Sequence, residues 1–285
     1  MGRFRPAPSP SLVPKPPSLF PRCVPRCGKI ALGFALALVF HAYSLAAQTP
    51  SDSQITISTD RPSVANSSVV VPKGVFQMEN GLLVTNTSGE SVVDLPESSF
   101  RFGLLDRTEL RLAAPDYFFN LPAGTAQASG FGDLELGVKQ QLGPFHKDFD
   151  LSVILFVSFP TGAGAISSHG YDPGLQFPWS WKLTSKWTMA GQVAFYWPTL
   201  AGKHTFTGES TVYFDRQLSD RWDAFAEYAG DFPDGGGPRH LLHFGTSFKL
   251  APHHQIDLHG AVGLSGAAPN NFVGVGYSFL FRAIK

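Results

Sequence analysis

Residues 59–87 read TDRPSVANSSVVVPKGVFQMENGLLVTNT. The second half of this stretch alternates. Phe76, Met78, Leu82 and Val84 fall on one parity, and Gln77, Glu79, Gly81 and Thr85 on the other. Residues two apart share a face of a β-strand, so the stretch predicts a strand with one apolar and one polar face. Two architectures use such a strand in opposite senses. A soluble β-sandwich turns the apolar face inward, whereas a membrane barrel turns it to lipid and lets the polar face look into the lumen. The rest of the chain has to decide between them.

The alternation recurs. Ser98–Leu104 sets Phe100, Phe102 and Leu104 against Ser99, Arg101 and Gly103, and Thr108–Leu112 sets Leu110 and Leu112 against Glu109 and Arg111. GDLELGVKQQL (132–142) sets Leu134, Leu136 and Val138 against Asp133, Glu135 and Lys139. With DLSVILFVSF and the segments that follow it to FVGVGYSFLF, about twelve stretches approach the length of a membrane-spanning strand. The connections between them fall into two classes. Leu104 with Thr108, Leu183 with Trp187, Leu218 with Trp222 and Leu250 with His254 each leave a three-residue turn that keeps the apolar faces aligned. Longer loops rich in Gly, Pro, Ser and Asn fall roughly at 86–97, 114–129, 160–172, 198–207, 231–238 and 265–270. Short and long connections alternate along the chain. That is the pattern of an up-and-down barrel with short periplasmic turns and long external loops, and an even strand number puts both termini in the periplasm.

The front of the chain predicts export. Arg3, Arg5, Lys15, Arg22, Arg26 and Lys29 form a basic region without an acid, Ile30–Phe40 is apolar, and Ser44-Leu45-Ala46 offers a cleavage site. Residues 1–46 are therefore expected to be a signal peptide, with a start codon downstream of Met1 compatible with its long Pro-rich beginning. The apolar run is shorter than the roughly 20 residues a spanning helix needs. Cleavage leaves 16 Lys and Arg against 22 Asp and Glu, an acidic balance that argues against nucleic acid as a partner. Cys23 and Cys27 leave with the signal, so no disulfide, thiolate metal site or cysteine nucleophile is expected. Residues 47–74 are expected to be a periplasmic lead-in or a plug, 75–281 the barrel, and 282–285 a short tail.

The last strand pairs Gly276 with Phe279 and Phe281, and Gly274 with Tyr277 and Phe279. This spacing resembles the C-terminal signal read by the barrel-assembly machinery, although Arg282–Lys285 continue past the final Phe. Trp179, Trp181, Trp187, Trp197, Trp222 and Tyr228 sit near strand ends, as interfacial girdle residues do.

Taken together, TDRPSVANSSVVVPKGVFQMENG, RFGLLDRTELRL, GFGDLELGVKQQL, FPTG and HQIDLHGAVGLSGAAPNNFVGVGYSFLF resemble the family of outer-membrane transporters named after the MetA pathway of phenol degradation. The resemblance spans about Thr59 to Phe281. It implies an outer-membrane β-barrel, which with the strand count above is expected to have about twelve strands, and it implies outer-membrane lipid and a small aromatic or hydrophobic solute as partners. The alternatives are a structural or adhesive barrel and a periplasmic β-barrel lipid or ligand carrier.

Catalytic motifs are absent from the sequence: there is no G-x-S-x-G elbow, no H-E-x-x-H and no phosphate loop. Ser210, Ser247 and His243 have no spacing that favours a hydrolase, and His253, His254 and His259 read as solvated turn histidines rather than metal ligands. No enzyme activity, cofactor or metal is expected. The polar constellation is Glu79, Arg101, Glu109, Arg111, Asp133, Glu135 and Lys139, all on the inward parity of the first four strands. Arg101 falls opposite Arg111, an unfavourable pairing that Glu79, Glu109 or Glu135 must offset. These residues are expected to line the lumen, either as a structural ladder or as a charged constriction.

Overall fold

The computed structural model describes residues 55–121 and 129–284. The signal region and its two cysteines lie outside the described residues. Seventeen β elements follow one another: β1 (Val75–Thr87), β2 (Glu90–Leu95), β3 (Ser99–Leu105), β4 (Thr108–Ala113), β5 (Tyr117–Leu121), β6 (Gly130–Phe131), β7 (Leu134–Gln141), β8 (Phe149–Phe159), β9 (Asp172–Lys182), β10 (Trp187–Tyr196), β11 (Thr199–Leu200), β12 (Lys203–His204), β13 (Thr207–Gln217), β14 (Trp222–Pro233), β15 (Arg239–Ala251), β16 (His254–Gly263) and β17 (Asn271–Arg282).

All wall pairings are antiparallel, and the sheet closes where β1 meets β17, from Val75 opposite Arg282 to Asn86 opposite Asn271. Closure removes both edges, and with them the unpaired backbone groups that lipid would not tolerate. Twelve staves make the wall. Three of them are broken once each, into β2 and β3, β4 and β5, and β6 and β7, so β1 pairs with β3 below and β2 above. The breaks stand side by side at Pro96–Ser98, Ala114–Asp116 and Gly132–Asp133, still joined by single bonds from Ala114 N–H to the Ser98 carbonyl (2.9 Å) and from Gly132 N–H to the Asp116 carbonyl (2.8 Å).

These breaks correct the expected loops. Residues 86–97 and 114–129 contain β2 and β5, which lengthen their staves, and 198–207 contains the small β11–β12 hairpin. Two of the four turns also shift. β-bulges after Gly103 and Lys249 make Leu105 face Thr108 and Ala251 face His254, so those turns have two residues rather than three. The turns at Leu183–Trp187 and Leu218–Trp222 have the expected bonds, with Leu183 N–H on the Trp187 carbonyl (2.9 Å) and Leu218 N–H on the Trp222 carbonyl (2.8 Å).

The faces follow the parity of the sequence. Gln77, Glu79 and Thr85 of β1 are buried, while Phe76, Met78 and Val84 are partly exposed and Leu82 is exposed on the outside. Leu110, Leu136, Leu155, Val193, Phe244 and Val275 form part of an exposed apolar outer surface, which only a lipid environment accommodates at this extent. The protein is a transmembrane β-barrel of the outer membrane. Trp181, Trp187 and Trp222 stand exposed at the ends of the staves near the short turns and Trp197 near a long loop, whereas Tyr228 is exposed in the middle of β14. The topology makes a prediction. In whole cells, a cysteine replacing Asp220 should resist an impermeant maleimide, and one replacing Gly236 should react. The reverse pattern would invert the barrel.

Candidate functional site: a clamped segment in the lumen

The lumen is not empty. Residues 55–74 enter it before β1 begins. At the turn end, Ile55 and Ile57 pack with Val71, Val75 and Leu280, and Ile57 N–H binds the Pro252 carbonyl (2.9 Å). The chain then crosses to the far wall and returns along β7, β4 and β3. It has no regular structure, so its backbone N–H groups need partners from elsewhere. Inward side chains of the wall provide them. Glu79 accepts from the N–H of Asp60 (3.1 and 3.0 Å) and of Arg61 (3.0 Å). Glu227 accepts from Val64 (2.8 Å) and Ala65 (3.1 Å), Gln192 from Asn66 (3.1 Å), and Glu109 from Val71 (2.7 Å). On the return, Ser68 Oγ lies 2.7 Å from Ser180 Oγ.

Close approach on the return path depends on Gly103. A Cβ there would overlap the carbonyl oxygens of Pro72 and Val71, so the wall has a notch where the segment passes. Gly74 N–H then donates to the Gly103 carbonyl (2.8 Å) and leads the chain into β1.

The charged cluster forms where the segment crosses β1, β3, β4 and β7. Arg101 and Arg111 do face each other across β3 and β4. Glu109 separates their charges: its Oε1 accepts from Arg101 Nε (2.8 Å) and Arg111 Nη1 (2.9 Å), and its Oε2 from Arg101 Nη2 (2.9 Å). Arg101 Nη1 also binds Glu79 (2.8 Å). The remaining anion comes from the segment itself. Asp60 Oδ2 lies 2.6 Å from Arg111 Nη2, and its Oδ1 lies 3.4 Å from Arg101 Nη1 and 3.6 Å from Lys139 Nζ. Asp60 Oδ1 also accepts the Ser67 N–H (2.8 Å), and Arg111 Nη2 holds Asn66 Oδ1 (2.8 Å), which fixes the bend.

Five of the seven expected residues, Glu79, Arg101, Glu109, Arg111 and Lys139, meet in this cluster. Glu135 points inward higher up, opposite Ser158 and Ala113, and makes none of the cluster's ion pairs. Asp133 is elsewhere: it sits in the break between β6 and β7, where its carboxylate accepts from the N–H groups of Gly162 (2.9 Å) and Ser168 (2.7 Å) and shapes the β8–β9 loop. Asp60 was not among the expected residues. It lies in a stretch without alternation, and nothing in the spacing tied it to strands 40 to 80 residues later.

A second clamp lies on β14–β16. His259 is not a solvated turn residue. Arg61 Nη2 stands 3.2 Å from His259 Nε2, His259 Nδ1 stands 3.0 Å from His243 Nε2, and His243 Nδ1 stands 2.7 Å from Glu227 Oε2. Arginine only donates, so His259 accepts at Nε2 and carries its hydrogen on Nδ1. His243 must then accept at Nε2 and donate from Nδ1 to Glu227. The order closes on itself, because Glu227 also holds the Val64 and Ala65 amides. Arg61 is further held by Glu97 (2.6 Å) and Asp257 (3.3 Å). Of the serines considered for hydrolysis, Ser210 is exposed on the outer face, and both ring nitrogens of His243 are engaged by other groups.

Burial disfavours the Asp60 carboxylate, but Arg101, Arg111 and Lys139 outweigh it and hold its pKa well below the usual carboxylate range. A depressed pKa contributes stability that is complete above the unfolded value, near 3.9, and disappears as the pH falls toward the folded one. The stability difference between wild type and Asp60→Asn should therefore be constant from neutral pH down to about 5 and shrink only below the ordinary carboxylate range. Urea titrations of both proteins across pH would measure it. A difference that halves by pH 6 would assign the anchorage to another group.

From the level of Lys139 toward the long loops, three apolar clusters alternate with buried inward acids, Asp94, Asp172 and Glu209. Leu83, Ala229, Leu241, Ala261 and Phe272 form one cluster, with Val64 of the segment and Ala268 of a loop against it. Ile154, Phe156, Ala194 and Tyr196 form a second, and Val92, Phe118 and Ile166 a third. Glu209 stands among them, bound by Gln192 (2.9 Å) and Tyr196 (3.2 Å).

The model of the family described as "Putative MetA-pathway of phenol degradation" matches residues 59–281. The chain belongs to this family. The match begins one residue before Asp60, so this member of the MetA-pathway family carries all but the first four residues of its luminal segment within the matched region. Among solved structures, the chain resembles the COG4313 outer membrane channel from Pseudomonas putida F1, with a TM-score of 0.56, 13% identity, and coverage of 75% of this chain and 98% of that one. It also resembles the NanC porin, with a TM-score of 0.51, 11% identity, and coverage of 72% and 98%. At these identities the likeness establishes the barrel fold this MetA-pathway protein shares with them. No curated protein matches its sequence.

Proposed function

We propose that the protein is an outer-membrane channel for small hydrophobic or aromatic solutes, and that residues 55–72 are its plug. One observation carries the solute class: three apolar clusters interrupt the inward face of the barrel, beside buried acids such as Asp94, Asp172 and Glu209, where a channel for hydrophilic solutes has a continuous polar lining. The family's link to phenol degradation agrees with it. Glu79, Arg101, Glu109, Arg111 and Lys139 act in this reading as the seat of the plug, a structural role, and Glu135 as part of the lining above it. The channel performs no chemistry on its solute and needs no cofactor. Its last strand, with Gly276, Phe279 and Phe281, serves assembly by the barrel-insertion machinery.

Liposome uptake tests the reading. Vesicles carrying the protein should accumulate phenol-like solutes faster than protein-free vesicles and show no comparable gain for a sugar of similar size. Equal rates for the aromatic solute with and without protein would reject the channel. A gain for the sugar alone would reject the solute class.

A further inference from the structure

The cluster around Asp60 has the form of a ligand site. Three cations from three neighbouring staves, Arg101 of β3, Arg111 of β4 and Lys139 of β7, converge on one carboxylate and contact both its oxygens. The wall's own acids do not balance them: Glu79 and Glu109 leave one cation in excess. Lys139 is the telling member. Its ammonium is fully buried and makes no hydrogen bond, and Asp60 is the one carboxylate within 4 Å of it among the described residues. A buried ammonium without a bonded partner is costly, so the wall holds it ready for an anion. That anion is supplied by an irregular segment rather than by a strand, and it can leave without breaking any ladder bond. The Asp60 and Arg111 side chains also keep 13% and 14% of their surface accessible, against none for Arg101 and Lys139, so the site is open on the side where Asp60 sits.

We propose that Arg101, Arg111 and Lys139 form a carboxylate-binding site of the lumen, that Asp60 fills it as an internal stand-in, and that an amphipathic carboxylate with an apolar body competes for it. Binding of such a solute in place of Asp60 removes the segment's ion pairs to β3, β4 and β7, leaves it held there by hydrogen bonds such as Val71 N–H to Glu109 and Arg101 to the Val69 carbonyl, and so loosens the plug when ligand arrives. The apolar body rests on the channel reading, whereas the carboxylate site does not. Charge-assisted bonds to two guanidinium groups suit the flat, two-oxygen geometry of a carboxylate and give no advantage to an uncharged alcohol of the same shape.

The test is equilibrium binding of benzoate, with benzyl alcohol as the uncharged match, to the full chain in detergent micelles. No transport is involved, so a failure here is separate from a failure of the uptake assay. Asp60→Asn removes the internal competitor and should bind benzoate about tenfold more tightly than wild type, or better, a gain of roughly 1.4 kcal/mol. Adding Lys139→Met should abolish that gain, and benzyl alcohol should distinguish none of the three proteins. Equal benzoate affinity in wild type and Asp60→Asn, or full affinity in the double variant, would overturn the proposal. Heat-dependent gel mobility verifies that each variant folds. Should Asp60→Asn not fold, the chain with Asp60 intact decides. Benzoate, and not benzyl alcohol, should raise the maleimide labelling rate of Val70→Cys in a saturable manner. An unchanged rate would overturn the proposal.

Discussion

Excising residues 55–72 is expected to raise single-channel conductance by about an order of magnitude or more, since a wall of twelve staves is wider than the eight-stranded kind that side chains fill unaided. The segment crosses the lumen from the β15–β16 turn to β9 and β10 and back to β1, and contacts wall side chains at each stage. None of those contacts is a ladder bond of the wall, so the barrel should assemble without the segment. The groups it leaves behind, Glu79, Glu109, Glu227 and their cations, would meet water in place of backbone amides. Planar-bilayer recordings of the excised and complete chains make the comparison. Equal conductance would mean that the long loops, rather than the segment, close the pore.

The second large effect concerns Arg101. Its side chain is wholly buried, pairs with Glu79 and Glu109, and donates to the Ser58 carbonyl (3.1 Å) and the Val69 carbonyl (3.3 Å). Arg101→Met should destabilise the folded barrel by about 3–5 kcal/mol, the usual cost of removing one partner from a buried ion pair. The cost arises because Glu79, Glu109 and Asp60 would then crowd together with only Arg111 and Lys139 to hold them. Adding Glu109→Gln should restore part of the loss, and that non-additivity is the signature of a shared network. Urea unfolding of protein folded into lipid vesicles would read both. A loss below about 1 kcal/mol for Arg101→Met would mean that water reaches the cluster and screens it like a surface pair.

The wall was legible because period-two patterning survives in every stave, and because parity across tight turns fixes which residues face each other. Arg101 opposite Arg111 followed from that rule even though the turn itself is bulged, since the bulge lies below both residues. Strands hidden in apparent loops were not legible. Pro96, Pro115 and Gly132 break three neighbouring staves and read as loop punctuation, yet the backbone resumes its pairing beyond each one. The His243–His259 contact was within reach. The short turn between β15 and β16 sets these residues two positions apart across the pair, on one face. The Glu227 partner was not, because a long loop separates β14 from β15 and leaves their register open. The seat of the segment was illegible for a different reason: irregular backbone has no period, and its contacts are set only once the wall has closed.

The segment's charge has one more consequence. Between Ile55 and Pro72 it carries a single acid, Asp60, and a single base, Arg61, adjacent in sequence. Moving one elementary charge through the full membrane field is worth roughly 2.3 kcal/mol per 100 mV. Here the two contributions cancel, because both charges travel together over the same distance. A transmembrane voltage therefore has almost no net charge to pull on in the segment itself. Any voltage dependence of the exchange proposed above would then come from the charge of the arriving carboxylate, and not from the segment.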